Sequence, residues 1–327
     1  MKIVRNVGYW WYRMLSPVPR ALLALVGCAA LATGCNGTTR AADNAAAAGS
    51  MAGEPLSVYT VNYPLAYFAT RIGGDRVSVE FPAPPDGDPA AWAPQARDIA
   101  AYQQADLILL NGAGYASWTK LVTLPEDKLV DTSRSFADRY ITDEEGEHSH
   151  EDGAEHRHEA ETAFTTWLDP QLAILQAAAI RDALSARQPE SAAEFESGFE
   201  SLQADLSALD QDLEELFGML GDAPVVFSHP VYQYLERRYD VNGISVHWEP
   251  GETPGSDEMM KLAERLFRHP AQLMIWEGEP MPESVAALDA MTVASVVLDP
   301  CGNRPEEGDY MGVMRKNVAG LRAAVSD

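Results

Sequence analysis

Short apolar runs of strand character alternate along this chain with segments whose apolar residues recur every three or four positions. The runs predict strands at Leu56–Asn62, Val77–Phe81, Asp106–Leu110 and Lys128–Val130. Helices are expected between and after them at Pro64–Ile72, Gln95–Gln104 and Ala116–Val122. The same alternation returns later. Strands are predicted at Pro224–Ser228, Gly243–His247, Gln272–Trp276 and Ser295–Leu298, and helices at Val231–Arg238, Asp257–Arg268, Pro282–Met291 and Tyr310–Val325. Between the two blocks Phe195, Phe199, Leu202, Leu206, Leu209, Leu213, Leu216 and Leu220 repeat at spacings of four and three, one apolar stripe on a long amphipathic helix. At 1.5 Å per residue that helix spans roughly 39 Å, long enough to brace two lobes. A coiled-coil dimer seam is the alternative use of such a stripe.

The pattern therefore predicts an α/β protein: two Rossmann-like lobes, each a parallel sheet covered by helices on both faces, joined by a long helix. The expected boundaries are 55–190 for the first lobe, 191–221 for the linking helix and 222–327 for the second lobe. Asp169-Pro170 reads as an N-cap and first-turn pair opening a further helix. Residues 143–161 are charged, His-containing and interrupted by Gly, with no apolar face, which predicts a solvated loop inside the first lobe.

The start of the chain differs from the rest. Lys2, Arg5, Arg13 and Arg20 precede the apolar run Ala21–Gly34, which ends in Leu31-Ala32-Thr33-Gly34-Cys35. A basic start, a short apolar core and small residues read as a secretory signal over residues 1–34. The run is too short for the roughly 20 residues that cross a bilayer. Cys35 fits the place of a lipidated mature N-terminus. Cys28 fits the same pattern with a shorter apolar core, and plain secretion is the alternative. Residues 35–54 are rich in Ala and Gly and predict a flexible tether. Beyond Cys35 only Cys301 remains, so no intramolecular disulfide is expected in the mature chain.

Composition narrows the partners. The 327 residues carry 49 acidic and 24 basic side chains, a formal charge of −25, which disfavours nucleic acid and suits cations. With 46% hydrophobic residues, real cores are affordable. Catalytic signatures are absent: there is no His-Glu-x-x-His, no Gly-x-Ser-x-Gly and no Gly-x-x-x-x-Gly-Lys. Four residues with metal-ligand chemistry stand near the ends of predicted strands of the second lobe: His229, His247, Glu249 and Glu277. Carboxyl ends of parallel strands share one sheet edge, so these four are expected to converge there. Imidazole with carboxylate is a donor set for zinc or a similar divalent ion. Structural roles are the alternative, a hydrogen-bonded His and helix-capping Glu residues. His269, next to Pro270, reads as a surface residue. The acidic loop adds His148, His150, His156 and His158, an auxiliary metal-capturing cluster.

At these residues the chain resembles the metal-binding subunits of bacterial ABC importers for zinc and manganese. The resemblance runs from about Val58 to Leu321. It is carried in order by Tyr63-Pro64-Leu65, Ile72-Gly73-Gly74-Asp75, Asp88-Pro89, Asp98-Ile99, Ala105-Asp106-Leu107, Asn111-Gly112-Ala113-Gly114, Trp167-Leu168-Asp169-Pro170 and Leu298-Asp299-Pro300. The acidic His-rich insertion sits where zinc-specific members carry one. The resemblance implies two lobes joined by a rigid helix with the metal in the cleft, and three His plus one acid as the usual ligands. His229 and Glu277 match two of these. Ala90 and Thr165 stand where the other two His are usual, and His247 and Glu249 are the expected substitutes. The function so implied is a lipid-anchored, extracytoplasmic, monomeric binding protein. It would deliver Zn2+, or alternatively Mn2+, to an ABC permease and its ATPase. Neutral imidazoles are required, so affinity is expected to fall below about pH 6. Two rivals are a same-fold binding protein with a different or lost ligand and a zinc-dependent extracytoplasmic hydrolase.

Overall fold

A computed structural model describes residues 54–143 and 161–326. In the first block, β1 (Leu56–Thr60), α1 (Tyr63–Gly73), β2 (Val77–Glu80), α2 (Ala96–Gln104), β3 (Leu107–Leu110) and β4 (Leu129–Asp131) form a parallel sheet of order β2-β1-β3-β4. The central strand β3 is an unbroken apolar run with Leu107, Ile108 and Leu109 buried, as a strand covered on both faces requires. A two-residue antiparallel ladder follows, β5 (Thr142–Asp143) with β6 (Glu161–Thr162). The ladder pairs the two ends that flank the acidic insertion. Next come α3 (Pro170–Arg187) and α4 (Ala192–Leu220). Asp169 caps α3 by accepting from the Gln171 N–H at 2.9 Å, with Pro170 in the first turn, as the Asp-Pro pair predicts.

The last block consists of β7 (Val225–Phe227), α5 (Gln233–Tyr239), β8 (Gly243–Ser245), α6 (Ser256–Arg268), β9 (Leu273–Trp276), α7 (Pro282–Asp289), β10 (Ala294–Val297) and α8 (Tyr310–Ser326). Its sheet is also parallel, of order β10-β9-β7-β8. The 29-residue α4 lies between the two sheets' helical layers and packs on α1, α3, α5 and α8. Seven members of its stripe, Phe195 through Leu216, are buried in the main core. The apolar face is thus used within the chain, which removes the coiled-coil alternative. Among the described residues no helix is long and apolar enough to cross a membrane.

Three sequence expectations are corrected. Ala116–Val122 is not an α-helix; only a 3-10 turn, Ser117–Lys120, forms there. Gly112, Ala113, Gly114 and Ala116 all take positive φ, outside the right-handed helical region, so an α-helix cannot run through them. The strand expected to reach His247 stops at Ser245, although the chain stays extended, with Val246 N–H donating to Phe227 O at 2.9 Å. His269 is half-buried rather than at the open surface: its Nε2 meets Val225 O at 2.9 Å and ties the end of α6 to the start of β7.

The joint between α4 and its neighbours is polar at one point. Asp210, buried on α4, accepts from Arg238 at 3.0 and 2.7 Å, from Tyr239 Oη at 2.9 Å and from Gln171 Nε2 at 2.6 Å. Burial pushes its pKa up, but the hydrogen bonds from Arg238, Gln171 and Tyr239 outweigh that, and the carboxyl ends below its ordinary value. A folded pKa below the unfolded one contributes stability at neutral pH. That contribution disappears as pH falls below the unfolded value of about 3.9 and through the folded one. Asp210→Asn is therefore expected to lower stability at pH 7 and to flatten the acid limb of the stability curve. Urea unfolding from pH 7 to pH 3 checks it; parallel curves for the two proteins would refute the role.

Candidate metal site

The strand order decides what meets what. β7 lies between β9 and β8, so the residue after β7 is flanked by the chain leaving each neighbour. Ser228 follows β7 and binds both sides. Its N–H donates to Ile275 O at 2.9 Å, its carbonyl accepts from Trp248 N–H at 2.7 Å, and its Oγ accepts from Glu277 N–H at 3.3 Å. Three strand ends are thereby fixed to one another by main-chain contacts. His229 comes next, with Pro230 behind it and an N–H from Val231 to the His229 carbonyl at 2.9 Å. Across from it, Val246 and Trp248 are buried while His247 and Glu249 are exposed, the alternation of an extended chain.

The result is a compact donor set. His229 Nδ1 lies 3.4 Å from Glu277 Oε1 and 3.5 Å from Glu249 Oε1. One ligand atom from each residue falls within 4.8 Å of the other two. Ligands about 2.0–2.1 Å from a tetrahedral zinc stand about 3.3–3.4 Å from one another, so the spacing already suits that ion. His229 Nδ1 is also shielded from water, and its contacts to the Glu277 and Glu249 oxygens are at the long limit of a hydrogen bond, so a cation between them would satisfy it better. The approach of Glu277, by hydrogen bonding and by charge, raises the His229 pKa above its ordinary value; burial pulls the other way and does not offset it, and the charge of Glu249 adds to the rise. Two carboxylates around a neutral imidazole carry two negative charges, the complement of a divalent cation. His229 and Glu277 are half-buried and Glu249 is exposed, so a path for an ion exists from solvent.

Of the four strand-end candidates, His229, Glu249 and Glu277 are brought together. His247 stands beside them, its ring centroid 5.6 Å from that of His229, outside the tight group. Ala90 is partly buried against the main core, and Thr165 is buried with its hydroxyl donating to Val231 O, two residues past His229. Thr165 thus supports the His229 turn from behind. The loop residues His148, His150, His156 and His158 and the anchor candidate Cys35 lie outside the described residues. Cys301 is a free, buried thiol whose pKa burial pushes up, and it takes no part in the donor set. Ser228 has a positioning role that only a signal for sheet order would have revealed.

Comparison with known proteins identifies the family of the chain. The family model described as ZnuA, zinc-uptake complex component A periplasmic, matches residues 58–324. The zinc-binding lipoprotein AdcA of Streptococcus pneumoniae is 27% identical over 280 residues, covering 82% of this chain and 55% of AdcA. The metal ABC transporter substrate-binding lipoprotein FimA of Streptococcus parasanguinis is 27% identical over 288 residues, covering 83% of this chain and 89% of FimA. Among solved structures, the metal-dependent lipoprotein YcdH of Bacillus subtilis superposes with a TM-score of 0.70 at 20% identity, covering 82% of this chain and 98% of YcdH. The chain spans about half the length of the AdcA relatives it matches.

Proposed function

Because the chain belongs to the ZnuA family of periplasmic zinc-uptake components, we propose that it captures a divalent transition-metal ion outside the cytoplasm and delivers it to an ABC permease and its ATPase. Zinc is the favoured cargo and manganese the second. The observation that carries the reading is the approach of His229, Glu249 and Glu277 at spacings suited to tetrahedral coordination, with the His229 nitrogen lacking any other partner. His247 is the nearest additional imidazole and the reserve for a fourth position. In this reading the protein is a carrier rather than an enzyme, as expected of a family of zinc-uptake components. Lipidation at Cys35 would hold it at the membrane by a tether over residues 35–54. The His-rich insertion, 143–161, would raise the local concentration of metal.

Isothermal titration of the chelator-stripped protein with zinc and with manganese tests the reading. One stoichiometric site, tighter for zinc, is expected. Removal of residues 143–161 should leave that site and eliminate only weaker additional binding. A protein that takes up neither ion stoichiometrically would have a different or lost ligand.

A further inference from the structure

Tyr234, on α5, holds both roots of the acidic insertion. Its Oη accepts from the Ile141 N–H at 3.3 Å and donates to the Ala163 carbonyl at 2.9 Å. Ile141 and Ala163 lie just outside the β5–β6 ladder, in which Asp143 is paired with Glu161. One turn further along α5, Arg237 lays its guanidinium over the Tyr234 ring, 5.1 Å from the centroid. The same group donates through Nη1 to the Arg139 carbonyl at 2.6 Å. Arg139 ends the 3-10 segment Arg134–Arg139, shortly before β5.

A cavity of about 360 Å3 opens here, lined by Arg139, Asp169, Gln171, Leu172, Arg237 and Arg238. Three guanidinium groups line it against one carboxylate, in a chain whose formal charge is −25. The three arginines are not equivalent. Arg238 is answered by Asp210 at 2.7 Å and stands 4.0 Å from Asp169. Asp169 is itself engaged, accepting from the main-chain N–H groups of Gln171 and Leu172 at the start of α3. Arg237 makes no ion pair among the described residues, and the Arg139 guanidinium has there neither an ion pair nor a hydrogen bond. Two positive groups thus border one cavity with their charge unanswered. Planar guanidinium forks match the paired oxygens of carboxylate and phosphate, and repel a metal cation.

We propose that this cavity is an oxyanion site, in which Arg139 and Arg237 hold a carboxylate or phosphate group. It is opposite in sign to the metal site and shares no residue with the His229–Glu249–Glu277 donors. Two sources can supply the group. One is a free anion in solution. The other is the insertion itself, because residues 143–161 carry nine acidic side chains tethered beside the cavity, which raises their effective concentration there.

The test titrates inorganic phosphate by calorimetry, at low ionic strength, into the metal-free full chain and into a second chain in which residues 144–160 are replaced by Asn-Gly. Asp143 and Glu161 are direct partners, so two residues close them as a hairpin. The second chain is expected to bind one phosphate with a Kd of about 1 mM or tighter. Arg139→Gln in that chain removes no side-chain contact that holds the described fold. It is expected to weaken binding at least about tenfold, as the loss of a charge-assisted pair does. Arg322→Gln, at an exposed arginine of α8, is expected to stay within about twofold. The full chain then decides the source. Equal affinity in both chains assigns the site to a free anion, and weaker binding in the full chain assigns it to carboxylates of the insertion; both results uphold the site. No phosphate binding to either chain, or binding that Arg139→Gln leaves unchanged, would overturn it.

Discussion

Replacing His229 by alanine is expected to weaken zinc binding by at least about 100-fold, beyond the 10–100-fold range of groups that only support a ligand. The imidazole is the one nitrogen in the tight group, and it sits between the two carboxylates at 3.4 and 3.5 Å. Its removal leaves two acids without the donor that zinc prefers. Thermal melting offers an independent reading. With free zinc at about 1,000 times Kd, binding adds about 4.1 kcal/mol to the stability of the wild-type chain. That increment should vanish in His229→Ala, whatever the substitution does to the metal-free melting temperature through loss of the His229 contacts to Glu249 and Glu277. A zinc-induced rise that survives the substitution would mean that the cation is held elsewhere.

The second large effect is a pair of substitutions in one helix with opposite signs. A Cβ built on Gly198 of α4 would lie 2.5 Å from Ile72 O, 2.8 Å from Ile72 Cα and 2.9 Å from Arg71 O, all backbone of α1. Gly198 is what allows α4 to sit directly on the end of α1. Gly198→Ala is expected to destabilise the fold by about 1–3 kcal/mol, because backbone cannot step aside as a side chain can. Gly218, twenty residues along the same helix, is exposed and has nothing within 4 Å of a built Cβ. Gly218→Ala is expected to stabilise by about 0.5–1 kcal/mol through helix propensity alone. Urea midpoints of the two variants should move in opposite directions; a stabilised Gly198→Ala would mean that the two helices are not in contact there.

These cases show how unevenly the molecule could be read from its residues. The α4 stripe was legible because a helical period repeated over seven turns admits no other regular structure, and its burial against α1, α3, α5 and α8 followed. β9 was legible as a four-residue apolar run before Glu277. Ala116–Val122 was misread because its apolar spacing is helical while the glycines before it impose a reversal that spacing does not express. The role of His269 is not legible in the residue pattern, because its partner, the Val225 carbonyl, is main chain. Thr165 and Asn303 were equally silent: each acts by a hydrogen bond to the backbone of a distant loop.

What the order of residues determined by itself was local. Alternating periods set strands and helices because backbone geometry couples each residue to neighbours two, three or four positions away. The types of the donors, imidazole and carboxylate, were likewise visible, and so was their recurrence where strands end. Which of them meet was settled only by the lateral order of the second sheet. With β7 between β9 and β8, His229 is placed between Glu277 and Glu249, while His247, two residues before Glu249, stands aside at 5.6 Å between ring centroids. No local rule sets that order, because strand neighbours are chosen by crossover connections and by the packing of whole helices. Distances of a few ångströms between residues far apart in the chain are a property of the assembled core.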